Sequence, residues 1–367
     1  MTSLRATVSK FMPTREEGVA RGVALVPCED ASAHTLAPDE VLVEVKAAAV
    51  NYIDLLMLSG QYHHKPELPY TPGLEYAGVV RAVGSAVTTL RPGERVMNDF
   101  MTSGPRSHGA HQRWGGWAKY AVAAASSLLR VPDVISDESA CNLLLNYETA
   151  IFGLEDRAQL VAGETVLVMG ATGAAGLAAV QVAKLLGAGT VIATGRGMDR
   201  LEHARRLGAD HAIDLLALPQ PHERALQAEV KALTGRGADI LFDPVGGDWL
   251  VPSMRALDFG GRHVIIGWAA NTNVAKGEGA GGTVSPDRMP TNLIQMKGLV
   301  VMGSPMSIIT QRRPQTRQRR LDLLARWMRD GSITPVVSRR FAMTQLQDAM
   351  QARLEGVIGG CVLTGMG

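Results

Sequence analysis

The sequence predicts an α/β protein in which a doubly wound parallel sheet is joined to a partly open β barrel. Three observations carry this expectation. A strand, a glycine turn and a helix follow one another between Glu164 and Lys184, strand-like and helix-like runs then alternate to about residue 308, and the first part of the chain holds short strands punctuated by Gly and Pro. At 367 residues the chain is too long for one ordinary core. Two domains are therefore expected, residues 1–140 with 309–367 for the barrel and residues 141–308 for the parallel sheet.

In chain order, Val41-Leu-Val-Glu-Val-Lys-Ala alternates at the period of a half-buried strand. Ala77-Gly-Val-Val-Arg-Ala-Val-Gly reads as a strand entering a turn, and Arg91-Pro-Gly-Glu-Arg-Val as a tight turn feeding a strand. These are the pieces of the expected barrel. The apolar run Val166 to Met169 then breaks at Gly170, Gly173 and Gly176, and Leu177, Val180, Ala183 and Leu186 recur at helical spacing. That order suits a dinucleotide, because the turn lets backbone approach the pyrophosphate and the N–H groups of the helix start hold the anion. Gly170, Thr172, Gly173, Ala174, Ala175 and Gly176 are the expected contacts.

About twenty residues on, an NAD site usually places Asp or Glu on the ribose hydroxyls. This chain reads Val191-Ile-Ala-Thr194-Gly-Arg196-Gly-Met-Asp199-Arg200, and Thr194 is expected among the cofactor contacts. Arg196 and Arg200 are expected at a 2′-phosphate, which guanidinium grips with two parallel hydrogen bonds, so the cofactor is expected to be NADPH. The alternative makes both arginines ordinary solvated charges, and Asp199 is expected to open the next helix. Further strands are expected at Ala212–Asp214, Ile240–Phe242, Val264–Gly267 and Leu299–Met302, and helices at Asp199–Leu207, His222–Leu233 and Trp249–Leu257. Val245, Ile266, Gly267, Met302 and Ser304 follow or end strands at the carboxyl edge, where ligands bind in such sheets. Val336 to Leu363 reads as strand–helix–strand and completes the barrel, while Met101–Gly116 and Asn271–Pro290 read as long loops.

A net charge of +2 calls for neither nucleic acid nor an anionic membrane. The basic cluster Arg312, Arg313, Arg317, Arg319 and Arg320 is expected to be a solvated helix start leading into Leu321 to Met328, with an anionic substrate tail such as a CoA phosphate as the alternative. Cys28, Cys141 and Cys361 have neither metal spacing nor a disulfide framework, which points to a reducing cytoplasm. Met1 to Gly18 mixes charges and lacks the apolar centre of a signal peptide. Thr165 to Ala183 carries no charge, but its glycines and its strand-to-helix break argue against a membrane span.

Several stretches together resemble the medium-chain dehydrogenase/reductase superfamily, on its zinc-free NADPH:quinone oxidoreductase (zeta-crystallin-like) branch. They are Ala48-Ala-Val-Asn51-Tyr52-Ile-Asp54, Ser59-Gly60-Gln-Tyr62, Pro72-Gly-Leu74-Glu75-Tyr-Ala-Gly78, Asn146-Tyr-Glu-Thr149-Ala, the glycine turn, Asp243-Pro-Val-Gly-Gly247 and Pro290-Thr-Asn292-Leu. The resemblance covers nearly the whole chain and implies a GroES-like catalytic domain, a Rossmann domain, a substrate cleft and a homodimer. Zinc-dependent relatives carry Cys at the position of Asn51, His at that of Leu74, and four close cysteines in the region of Met97 to Gly116. Neither Asn51 nor Leu74 is a zinc ligand, and that region has no cysteine, so no metal is expected. His63, His64, His108 and His111 lack a completing Cys or carboxylate, and His63 or His64 is expected to line the cleft mouth.

The resemblance places Asn51 and Tyr62 nearest the nicotinamide and acceptor, with Tyr52 as a further candidate. It places Thr149 near the nicotinamide or its phosphates and gives Arg200 the role of the basic residue of NADPH-specific relatives. Leu215 departs from relatives with an aromatic residue there, and Asp54 and Glu75 are expected to be structural, paired with a buried Arg. The expected reaction is hydride transfer from NADPH to a quinone or an α,β-unsaturated carbonyl (enone), whose own conjugation spreads the charge. An enoyl-CoA or acryloyl-CoA type reductase and a non-catalytic NADPH-binding protein are the alternatives.

Overall fold

The computed structural model describes residues 3–28, 35–60, 62–270 and 287–366. Most of the expected loop 271–290 lies outside the described residues. The chain divides into two units, residues 1–145 with 328–367, and residues 146–327.

In the first unit β1 (Leu4–Thr7) and β2 (Ala24–Pro27) form an antiparallel ribbon. The larger sheet comprises β3 (Glu40–Ala49), β4 (Tyr76–Val83), β5 (Arg95–Asn98), β6 (Tyr120–Ala124), β7 (Leu128–Arg130), β14 (Val337–Ala342) and β15 (Gly360–Thr364). Its order is β14-β15-β3-β4-β5-β7, with β6 also on β3, and every pair except β14–β15 is antiparallel. β3 is the hub. Its register against β4 slips at Leu42/Val43 and at Val45/Ala47, the kind of irregularity that bends a strand into a barrel wall. Gly78 is required opposite it, because a Cβ there would overlap the Glu44 carbonyl oxygen. The tail returns as expected: β15 pairs with β3, and Leu346, Met350 and Leu363 join Val43, Val45 and Trp117 in one core.

Helices α1 (Arg15–Arg21), α2 (Tyr52–Leu58), α3 (Asp137–Ala140) and α12 (Leu346–Glu355) accompany this sheet, and α4 (Leu144–Ile151) carries the chain into the second unit. There β8 (Thr165–Val168), β9 (Thr190–Gly195), β10 (His211–Asp214), β11 (Ala238–Asp243), β12 (Leu257–Ile265) and β13 (Val300–Gly303) form a wholly parallel sheet. Its order, β10-β9-β8-β11-β12-β13, reverses direction between β8 and β11, the Rossmann switch point. Helices α5 (Ala174–Leu185), α6 (Met198–Arg206), α7 (His222–Thr234), α8 (Leu250–Ala256) and α9 (Thr291–Lys297) alternate with the strands. The expected strand at Val264–Gly267 is the end of a longer one. β12 begins at Leu257, and its register against β11 slips before Arg262, around the positive φ of Gly260.

Two expectations about residues 309–327 do not hold. These residues belong to the second unit, not the first. Nor is the basic cluster uniformly solvated, because Arg317 and Arg320 are buried and both meet the Glu148 carboxylate, at 2.8 and 3.3 Å. This pairing fastens the start of α11 (Gln318–Arg329) to α4, and Arg320 also donates to the Thr310 hydroxyl of α10 (Met306–Arg312) at 2.8 Å. Among the described residues no helix is long and apolar enough to cross a membrane, and the uncharged stretch Thr165–Ala183 is split between β8 and α5.

Candidate functional site

Strand register in the second unit sets the carboxyl ends of the six strands level with one another. Ala212, Ala193, Val168, Phe242, Val264 and Met302 pair across the sheet as one row. Just beyond it the strands give way to Gly170, Arg196, Val245, Ile266, Gly267 and Ser304, so these expected residues gather along the carboxyl edge. The turn after β8 fits a pyrophosphate. Gly170 has φ +60°, and a Cβ on Gly176 would overlap the Gly170 carbonyl and lie 2.7 Å from the Ala171 Cα. Nothing but the Gly170 oxygen, at 3.5 Å, lies near a Cβ built on Gly173. Thr172, Gly173, Ala174 and Ala175 are half-exposed, and the first turn of α5 carries no acidic residue. Its leading N–H groups have no intrahelical acceptor and are available to an anion.

At the next turn Arg196 is exposed and Arg200 half-exposed on α6. The Asp214 carboxylate accepts from the Gly197 N–H at 2.9 Å, fixing the turn that carries both arginines. Asp243 plays the same part at the switch point: one oxygen accepts from the Val245 and Gly246 N–H groups at 2.9 and 3.0 Å, and the other lies 3.1 Å from Nε2 of buried His263. Neither carboxylate stands out in the sequence as a loop anchor, since each partner lies on another strand or beyond a turn. Ile266 N–H donates to the Asp243 carbonyl and Ser304 N–H to the Ile265 carbonyl, each at 2.9 Å. Met302 is half-buried in β13 and Thr149 half-buried on α4. Thr194 turns its side chain into the sheet. It is wholly buried and its hydroxyl donates to the Val168 carbonyl at 3.1 Å, which makes it a staple between β8 and β9.

In the first unit Asn51 stands at the junction of β3 and α2, as the residue that precedes the helix, with Asp54 in its first turn. The Asp54 carboxylate accepts from the backbone N–H groups of Asn51 (2.8 Å) and Leu74 (2.9 Å). Asn51 Nδ2 donates to Glu75 Oε2 at 3.0 Å, and Glu75 Oε1 accepts from the Leu145 N–H at 2.8 Å. Asn51, Asp54 and Glu75 are all buried. Loss of hydration pushes the Asp54 carboxyl up to about 7, against its backbone hydrogen bonds and the Arg353 charge. It pushes Glu75 up to about 8, with the Asp54 charge adding to the rise. Buried Arg353 lies near enough for its charge to oppose the Asp54 rise, but its guanidinium donates to the Val50 and Gly359 carbonyls, at 2.8 and 3.0 Å, and not to either carboxylate.

Tyr62 is half-buried and lies beside a cation that sequence reasoning missed. The Arg106 guanidinium sits 5.3 Å from the Tyr62 ring centre and 5.6 Å from that of Phe100. Arg106 comes from the expected loop 101–116, which folds into two 3₁₀ turns, Gly104–Arg106 and Gly109–Arg113. The His63 ring stacks obliquely at 4.1 Å from Tyr62, and desolvation followed by the Arg106 and His64 charges lowers its pKa to about 4. His64 and His108 meet edge to face, whereas His111 turns to Glu40, so the H-x-x-H pair is separated. The Tyr52 hydroxyl accepts from the Arg15 guanidinium, which also lies over its ring, and Tyr52 is thereby tied to α1.

Among the described residues no group of three or more His, Cys, Asp or Glu side chains is placed to hold a metal ion. Asn51 is engaged with Glu75 and Leu74 is a buried hydrocarbon, so this donor set does not fit zinc.

Residues 37–133 match the alcohol dehydrogenase GroES-like domain family, and residues 174–325 match the family described as zinc-binding dehydrogenase. Among curated proteins, the quinone oxidoreductase-like protein 2 of Bos taurus is 30% identical over 322 residues, 88% of this chain and 83% of that one. Among solved structures, a mycobacterial protein complexed with NADPH matches with a TM-score of 0.77 and 25% identity, over 99% of this chain and 100% of the other. An NAD-dependent alcohol dehydrogenase matches with a TM-score of 0.78 and 27% identity, over 98% and 99%.

Proposed function

The chain belongs to the medium-chain dehydrogenase/reductase superfamily, as an oxidoreductase of its quinone oxidoreductase-like branch with an NAD(P)-binding fold, and from that premise we propose that it reduces a quinone or an enone with NADPH and without zinc. Bound NADPH supplies a hydride to the electron-poor β-carbon of the acceptor. The acceptor's π electrons move onto its carbonyl oxygen, and a proton from solvent completes the product. The glycine turn and the start of α5 hold the pyrophosphate, and Arg196 and Arg200 receive the 2′-phosphate. Asn51 and Tyr62 donate hydrogen bonds to the oxygen on which charge develops.

The observation that carries this reading is Asn51. At the family's metal-ligand position it offers a neutral amide, locked to Glu75, in place of a thiolate. An amide can steady an enolate but cannot activate an alcohol as a zinc ion does. The preference for NADPH over NADH is supported by the residue after β9, which is Arg196 and not a carboxylate. The reading also makes the protein a cytoplasmic homodimer, which sedimentation and cell fractionation test.

The experiment follows NADPH absorbance with purified protein, a small quinone and a matched enone, in the presence of EDTA. Oxidation with either acceptor supports the proposal. Saturable NADPH binding without turnover of any acceptor refutes it in favour of a binding protein. A second reading, CoA-ester reduction, draws on the exposure of Arg312 and Arg313. Charge reversal there should then raise KM for CoA esters alone.

A further inference from the structure

The amide of Asn51 has three hydrogen-bonding functions: one acceptor oxygen and two N–H donors. One Nδ2 hydrogen is used internally, on Glu75 Oε2 at 3.0 Å. An amide is planar, so holding that hydrogen on a fixed acceptor also sets the direction of the second hydrogen on the same nitrogen. Glu75 is itself held by the Leu145 N–H at 2.8 Å on its other oxygen, and is 2% exposed. The Asn51 backbone is pinned through Asp54, whose carboxylate also binds the Leu74 N–H at the residue before Glu75. The two carboxylates thus form a closed frame around one side chain.

We infer that Glu75 is a positioning residue for acceptor reduction, holding the Asn51 amide so that its second Nδ2 hydrogen is presented to the carbonyl oxygen of the acceptor. This deepens the proposed function and rests on its placement of Asn51 beside the acceptor. The Glu75 carboxyl does not touch the acceptor; it acts through Asn51. A donor that is already oriented costs no reorganisation as charge develops, which is why loss of one such donor commonly lowers kcat by about a hundredfold or more. Losing only its anchor costs less, on the order of tenfold to a hundredfold.

The test is a double-mutant cycle with Glu75→Ala, Asn51→Ala and the combined variant, together with Glu75→Gln, whose carbonyl still accepts from Asn51. Enone kcat and KM are measured beside the Kd for NADPH. NADPH binding within about twofold of wild type certifies a folded second unit. Far-ultraviolet circular dichroism certifies the whole chain. Glu75→Ala should lower kcat by about tenfold or more with little change in KM, Glu75→Gln should restore most of it, and Glu75→Ala should cost nothing further once Asn51 is Ala. An equal loss in the Asn51→Ala background overturns the inference, as does full activity in Glu75→Ala.

A second readout needs no turnover: equilibrium binding of p-nitrophenolate, an oxyanion mimic, to the NADP⁺ complex. Glu75→Ala and Asn51→Ala should weaken it alike. A wild type that binds the phenolate in this pattern yet reduces no acceptor sinks the reductase reading and leaves the Glu75–Asn51 frame standing. Phenolate affinity unchanged in Glu75→Ala sinks the frame.

Discussion

Replacing Glu148 by Gln should destabilise the second unit severely. Glu148 has no exposure and takes a two-pronged grip from Arg317, Nε to Oε1 and Nη2 to Oε2, both at 2.8 Å. Arg320 adds a third contact at 3.3 Å and reaches the Asp156 carboxylate and the Thr310 hydroxyl besides. Removing the central charge leaves two guanidiniums buried around one neutral amide. Breaking a buried pair in this way costs about 3–5 kcal/mol. For a unit of this size each kcal/mol moves Tm by about 2–4 °C, so Glu148→Gln should lower it by roughly 6–20 °C. Calorimetry of the apo protein reads this directly. Arg313→Ala is the control in the same basic cluster, and because Arg313 is exposed its change should stay within about 0.5 kcal/mol. A Glu148→Gln shift no larger than that of Arg313→Ala would refute the reasoning, because the pair would then behave as a solvated one.

Three further outcomes are expected. Gly176→Ala drives a methyl group into the Gly170 carbonyl, so it should cost about 1–3 kcal/mol in stability and weaken NADPH by at least tenfold, measured by fluorescence titration. Arg196→Glu with Arg200→Glu should raise the Kd for NADPH by about 10- to 100-fold and leave NADH nearly unchanged, the difference of about 1.5–3 kcal/mol that charged hydrogen bonds carry. Burial raises Asp54 to about 7 and Glu75 to about 8, so the folded chain binds more protons than the unfolded one across that range. The stability they contribute is full below the ordinary carboxyl range and is lost as the pH rises through about 7 to 8. Urea midpoints taken between about pH 5 and about pH 9 should show that decline, and Glu75→Gln should flatten it.

What the sequence revealed, and what it did not, follows from the range of the interactions. The turn at Gly170, Gly173 and Gly176 is local chemistry between one strand and the next helix, and it lies where expected, at the switch point. The return of Val336 to Leu363 is legible because its strand–helix–strand pattern survives as β14, α12 and β15. Arg317 and Arg320 are a different matter. Their carboxylate is 169 and 172 positions away, and nothing in a run of arginines distinguishes the buried pair from exposed Arg312 and Arg313. The same distance in sequence hides the tie from Arg15 to Tyr52 and the stacking of Arg106 on Tyr62. Thr194 hides its contact in the same way, because its hydroxyl is bonded to the neighbouring strand, 26 positions away.

The central claim is hydride delivery from NADPH to a conjugated acceptor without a metal. The most direct measurement uses chelator-treated protein, NADPH deuterated at C4 of the transferable face, and a simple cyclic enone. The account predicts a saturated ketone with one deuterium on its β-carbon. Turnover that returns only with added zinc, or product free of deuterium at that carbon, would contradict it.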